Sequence, residues 1–141
     1  MSEQDRRRNT RLNTSQSNKV DVHYQFIDVE GLVSHPHNHT GQAMNLSLSG
    51  ALIRGTIPDQ NWITRLLNVS DILAIELDVD DSPRIRAIAS VQWIRQSSEA
   101  EKYEFGLRFD RLPDNDAKEL ARFIAKQERR SGRLHQFPGT L

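Results

Sequence analysis

Two short stretches combine residue types suited to holding a planar, anionic ligand: Arg7-x-x-x-Arg11 near the N-terminus and Asn45-x-Ser47-x-x-Gly50 further along the chain. Two guanidiniums four residues apart on a flexible arm can close over an anion, each presenting a planar fork of donors to phosphate oxygens. The same fork fits O6 and N7 of guanine, the commonest specific arginine contact to a base. On a strand, Asn45 and Ser47 offer short hydrogen-bonding groups from one face, and Gly50 leaves bare backbone against which a flat ligand can lie. Arm and strand together would form a two-sided clamp for a guanine-containing phosphate ligand. Either half alone is ordinary. An arginine cluster near a terminus is commonly a solvated tail, and Asn-x-Ser-x-x-Gly is a common way for a strand to end in a turn.

Other chemistry is less well supported. His35, His37 and His39 place three imidazoles at alternate positions, where an extended backbone would face them one way, and imidazole is a common ligand for zinc, copper or nickel. No Asp, Glu or Cys lies within the run to complete a site, so a solvated loop is the preferred reading and no metal is assigned. Asp78, Asp80 and Asp81 are read as a solvated acidic edge that discourages strand-to-strand association. The chain lacks cysteine, which excludes thiolate metal sites and a Cys nucleophile. It also lacks the serine-hydrolase elbow, the Walker A loop, the zincin motif and the dinucleotide fingerprint. No catalytic residue is assigned, and the chain is not read as an enzyme.

The elements that must position these residues follow from hydrophobic periodicity. Residues 1–19 are polar and form a flexible basic arm. From Val20 the period is two: Val20, Val22, Tyr24 and Phe26 alternate with polar residues, which predicts a half-buried strand. Gly31 to Gly41 reads as a loop. Met44 to Arg54 reads as one strand, with Met44, Leu46 and Leu48 on one face, Asn45, Ser47 and Ser49 on the other, and Gly50 marking a bulge or a close backbone approach. Pro58–Asn61 reads as a turn. Ile75, Leu77 and Val79 mark a further strand, followed by a turn at Asp81-Ser82-Pro83. Ile85, Ala87, Ala89, Val91 and Trp93 form the cleanest alternating row, and Tyr103, Phe105, Leu107 and Phe109 repeat the pattern. After Pro113 and Asp114 the period becomes helical, through Ala117, Leu120, Ala121 and Ile124 to about Arg130. Short strands followed by one helix describe a mainly β domain: a small antiparallel β-barrel carrying a C-terminal α-helix.

Composition sets the outer limits. The chain has 141 residues, 36% of them hydrophobic, enough for one modest core. Lys+Arg and Asp+Glu both total 19, so the net charge is zero and non-specific coating of nucleic acid is disfavoured. The charge is unevenly distributed: residues 1–20 carry +3, residues 71–81 hold five acids and no base, and residues 126–141 are again basic. That arrangement suggests partners that touch the ends. Apolar runs are too short to span a bilayer, and the arginine-rich N-terminus lacks the apolar stretch of a secretory signal. A cytoplasmic protein without membrane insertion is expected.

At this point the residues resemble a known family, the PilZ domain, a bacterial receptor for the second messenger cyclic di-GMP. Arg6-Arg7-Arg8-Asn9-Thr10-Arg11 is similar to its RxxxR motif, and Asn45-Leu46-Ser47-Leu48-Ser49-Gly50 to its (D/N)xSxxG motif. Ala89-Ser90-Val91-Gln92-Trp93-Ile94 and Tyr103-Glu104-Phe105-Gly106-Leu107-Arg108-Phe109 resemble its late strands, so the likeness runs from about Arg6 to Ile124. The resemblance implies a six-stranded antiparallel barrel, with residues 1–19 as the arm, 20–130 as barrel and helix, and 131–141 as a flexible tail. It implies that Arg7 and Arg11 clamp cyclic di-GMP, that Arg6 favours an intercalated pair of ligands, and that Asn45, Ser47 and Gly50 form the barrel side of the site. Trp93 sits where an aromatic borders the ligand, although its place on the alternating row favours the core. Asn45 stands where Asp is more frequent, and the Gly31–Gly41 loop is longer than usual.

The expected function is that of a cyclic di-GMP receptor and adaptor without cofactor. Ligand orders the arm across the barrel and changes the surface offered to an effector protein, the basic stretch Lys126 to Leu141 being a candidate contact. With no output domain expected on this chain, the signal would pass to that separate protein. The alternatives are a non-binding adaptor of the same fold and, less favoured by the neutral charge, a nucleic-acid binder using the arm.

Overall fold

The computed structural model describes residues 12–13, 20–28, 30–35, 37–68, 70–79 and 84–131. Six strands close a barrel: β2 (Val20–Asp28), β3 (His39–Leu46), β4 (Gly50–Gly55), β5 (Asp71–Asp78), β6 (Ile85–Gln96) and β7 (Tyr103–Arg111). Their order is β3-β2-β5-β6-β7-β4, all neighbours antiparallel, and β4 returns to β3. A two-residue strand β1 (Leu12–Asn13) adds to β3 beyond the point where β2 ends, pairing Leu12 with Leu46 and Asn13 with Asn45. Thus part of the expected arm is a strand of the sheet.

Alternation explains the barrel. On β2, Val20, Val22, Tyr24 and Phe26 are all buried, and on β5 Leu73, Ile75 and Leu77 face the same interior. Phe105 from β7 and Ile85 from β6 complete a filled core rather than a channel. Because β5 lies between β2 and β6, it has no free edge. The protective role expected for Asp78 is therefore replaced by pairing: its carboxylate holds His23 at 3.0 Å and Arg84 at 2.7 Å. Asp80, and the turn expected at Asp81-Ser82-Pro83, lie outside the described residues.

The Met44–Arg54 segment corrects the expectation of one strand with a break at Gly50. It is a hairpin, β3 and β4 joined by Ser47-Leu48-Ser49, and the bulge falls between Ala43 and Asn45. The extra residue, Met44, turns Leu46 inward, while Leu48 sits in the turn and is exposed. A short helix α1 (Trp62–Leu67), unforeseen beyond the Pro58–Asn61 turn, carries the chain from β4 to β5, two strands that are not neighbours. Only Trp62 and Leu66 of α1 are buried, too few apolar positions to register as a helical period. Helix α2 (Asp114–Ser131) opens with Asp114 and Asp116 in its first turn, where negative charge is favourable. It buries Leu120, Phe123 and Ile124, packing on β6 and β1.

Candidate functional site

The hairpin that carries Asn45, Ser47 and Gly50 is built by its own short side chains. The Ser47 hydroxyl accepts from the Ser49 N–H at 3.2 Å and lies 3.3 Å from the Gly50 carbonyl, while the Ser47 N–H donates to that carbonyl at 2.9 Å. Ser47 is buried, so its hydroxyl is engaged by the turn. The Phe109 N–H donates to the Ser49 carbonyl at 2.8 Å and ties the turn to β7. Gly50 is needed for a related reason. A Cβ there would sit 2.0 Å from the Leu107 carbonyl oxygen, so its bare backbone admits β7 rather than leaving space outside. Of the three residues, Asn45 alone keeps an unengaged polar group: its Oδ1 is buried and has no partner among the described residues.

Trp93 corrects the core reading. It is 40% exposed because a second bulge falls between Val91 and Trp93. The extra residue, Gln92, reverses the facing, so Val91 and Ile94 pack on the core while Trp93 turns outward. The indole lies on the barrel wall over Gly106, where a Cβ would come within 2.2 Å of Nε1. The Arg95 guanidinium stands 5.0 Å from the ring centroid.

Strand register now joins these positions. Asn13 pairs with Asn45, Asn45 with Leu52, Leu52 with Gly106 and Gly106 with Trp93. They form one row across five strands, and the Asn45–Trp93 part spans about 14 Å at the usual strand spacing. Arg11 precedes the first strand of that row by a single residue in sequence. Arg6, Arg7 and Arg11 themselves lie outside the described residues. A residue the sequence reading passed over, Arg108, is in register with Gly50 and presents an exposed guanidinium beside the turn, held by Asp110 at 3.1 Å. Its signal was weak, since an arginine on the polar side of an alternating strand is unremarkable.

Below the row, Arg54, Glu104 and Arg95 form a parallel line across β4, β7 and β6. Glu104 receives Arg54 at 2.9 Å and Arg95 at 2.7 Å. Those bonds hold its carboxyl below the usual carboxylate range, Arg54 being the larger cause. Glu99 extends the line to Lys102 at 3.2 Å and Arg54 at 3.3 Å. The chemistry is structural: it pins the wall on which Trp93 rests.

The histidines also depart from expectation. Rather than forming a solvated loop, His35 and His39 are half-buried at the mouth of the barrel, and only His37 is exposed. His39 stacks on Tyr24 at 5.4 Å, and His35 meets the Trp62 ring edge-on at 5.5 Å. Burial is the main cause that lowers the His39 pKa below its ordinary value, with His35 and His37 adding to it. Among the described residues no three His, Asp or Glu side chains are placed to hold a metal ion.

The architecture is a closed antiparallel barrel with a C-terminal helix, with Asn45 and Trp93 in one register row across its wall. The PilZ domain family matches residues 5–126, and the chain belongs to that family, whose members are non-catalytic receptor and adaptor modules. Among solved structures the chain is similar to the PilZ domain with c-di-GMP of YcgR from Escherichia coli, with a TM-score of 0.63, 15% identity and coverage of 94% of this chain and 98% of that one. It is also similar to the Bacillus subtilis inhibitor of motility, MotI/DgrA, at TM-score 0.61 and 15% identity, covering 87% and 51%. MrkH, a c-di-GMP-dependent transcription regulatory factor, matches at TM-score 0.58 and 14% identity, covering 86% and 51%. The chain thus spans about half the length of the last two. No curated protein matches the sequence significantly. No helix among the described residues is long and apolar enough to cross a membrane.

Proposed function

We propose that this chain is a cyclic di-GMP receptor that acts as an adaptor. The nucleotide lies on the outer wall along the Asn45–Trp93 row and is closed over by Arg7 and Arg11. The observation that carries this reading is the pairing of β1 with β3, which sets the segment following Arg11 directly beside Asn45. Asn45 Oδ1, buried and without a partner among the described residues, is suited to accept a hydrogen bond from a guanine N–H, since leaving such a group unmatched is costly. Guanidiniums from the arm supply bidentate donors to phosphate and to the guanine edge. Arg6, preceding the motif, favours a stacked pair of ligands. Closing the arm changes the face offered to an effector protein, and ligand energy drives that ordering.

One observation favours a second reading, a PilZ-fold adaptor that binds no nucleotide: Ser47 and Gly50 are each explained by the turn and by β7 without any ligand. Calorimetry with cyclic di-GMP decides between them, run on the wild type, on Arg11→Ala and with linear GMP. Saturable heat lost in Arg11→Ala supports the receptor, with the stoichiometry reporting on Arg6. No heat from a folded, nucleotide-free preparation overturns it in favour of the second reading.

A further inference from the structure

The barrel has a concave surface on the wall opposite the β3–β4 hairpin. It is a groove of about 610 Å³ on the outer faces of β2, β5 and β6, with Asn38 and Pro113 also in its lining. Its floor is a row in register, Gln25–Ala74–Ile88–Arg111, and the next row along is His23–Glu76–Arg86. Ala74 and Ile88 are half-buried apolar side chains lining the groove, with Arg86 and Arg111 beside them.

The cations differ in how far they are engaged. Arg84 is committed to Glu76 at 2.9 Å and to Asp78 at 2.7 Å. Arg86 reaches Glu76 only at 3.6 Å, and its side chain is 76% exposed. Arg111 is exposed and has no ion-pair partner among the described residues. Two guanidiniums with free donors therefore bracket Ile88; beside Arg86, Glu76 is shared with Arg84 at 2.9 Å and Asp116 of α2 is engaged by the Arg86 backbone N–H at 3.3 Å.

We propose that this groove docks an extended acidic segment of a partner protein, lying along β5 and β6. Alternate residues of an extended peptide repeat at about 7 Å, the same interval that separates the two floor rows. Apolar side chains of such a segment meet Ala74 and Ile88, and its carboxylates meet Arg86 and Arg111 in bidentate geometry. The charge pattern selects this occupant. A basic segment would face Arg86 and Arg111, and a continuous phosphate backbone would have no apolar group to set against Ala74 and Ile88. This names a surface and a chemistry for the partner of the adaptor proposed above, and it makes no use of the nucleotide site.

The test is a titration of isotope-labelled full-length protein, without nucleotide, by the blocked peptide acetyl-Glu-Ser-Leu-Ser-Glu-Ser-amide, whose Glu and Leu side chains share one face when extended, and by its Lys-for-acid counterpart, followed by amide NMR. Saturable shifts at Gln25, Ala74, Ile88 and Arg111 with the acidic peptide alone are expected. Arg86→Glu with Arg111→Glu is expected to weaken that binding at least tenfold, and an unchanged melting temperature shows that these exposed changes leave the fold intact. Equal shifts from both peptides, shifts confined to residues 1–11 or 126–141, or an affinity unmoved by the double variant would overturn the proposal. So would concentration-dependent dimerisation that the double variant abolishes, which would make a second copy the occupant. Cyclic di-GMP calorimetry on the double variant keeps the two readings separable, because its loss of peptide binding leaves the nucleotide heat in place.

Discussion

At the scale of single residues, Ser47 and Gly50 build the hairpin, while Asn45 Oδ1 has no partner among the described residues. Gly50→Ala is expected to destabilise the barrel by about 1–3 kcal/mol, since the new Cβ must displace the β7 backbone; urea unfolding measures it. Asn45→Ala removes an acceptor with no described partner, so stability should barely change while cyclic di-GMP affinity falls roughly tenfold or more. Calorimetry and a thermal melt on the same sample separate the two effects. Ser47→Ala should behave like Gly50→Ala, through the turn. The asparagine and serine were legible in the sequence as a pair on one face. Their different duties were not, because the bulge at Met44 and the approach of Leu107 are made by strands distant in sequence.

At the scale of elements, α1 is locked to the barrel by one ion pair. Arg65 Nε donates to the Asp71 carboxylate at 2.6 Å while its guanidinium lies 4.0 Å from the centre of the Trp62 ring. Asp71 is 1% exposed, so Arg65→Met strands a buried carboxylate. The cost expected is about 1–2 kcal/mol, below that of a fully buried pair because the Arg65 side chain is 47% exposed; denaturation followed by tryptophan fluorescence reads it. The start of β3 makes a second prediction. His39 has a lowered pKa in the fold, so the unfolded chain takes up its proton first as pH falls through the ordinary histidine value of 6.5. Stability therefore drops from neutral pH downward until the folded group also titrates. Replacing His39 with Gln should flatten the pH dependence of the melting temperature between about pH 7 and 5. The alternating pattern of residues 35–39 was visible in the sequence; that Tyr24, Phe26 and Trp62 would gather under it was not.

For the whole molecule, closure and charge act together. Further acidification protonates Glu104, Glu99 and Asp78, all held below the ordinary carboxylate range by cationic or histidine partners. Their contribution is present above that range and is lost as pH falls through it, so acid unfolding should follow the histidine step as a second decline. Deleting residues 1–11 should leave the melting temperature nearly unchanged, since the six-stranded closure uses none of them, while abolishing the cyclic di-GMP heat. The period-two runs and the switch to helical spacing at Asp114 determined the barrel and its helix, because alternation follows from local backbone geometry. The spacing of Arg7, Arg11, Asn45, Ser47 and Gly50 was likewise complete in the chain as written. Only the tertiary structure decided that β1 pairs with β3 beside Asn45, that Trp93 faces outward, and that a groove opens on the far wall. Each depends on strand register, and one bulge residue reverses every side chain beyond it; no local pattern records where that residue falls.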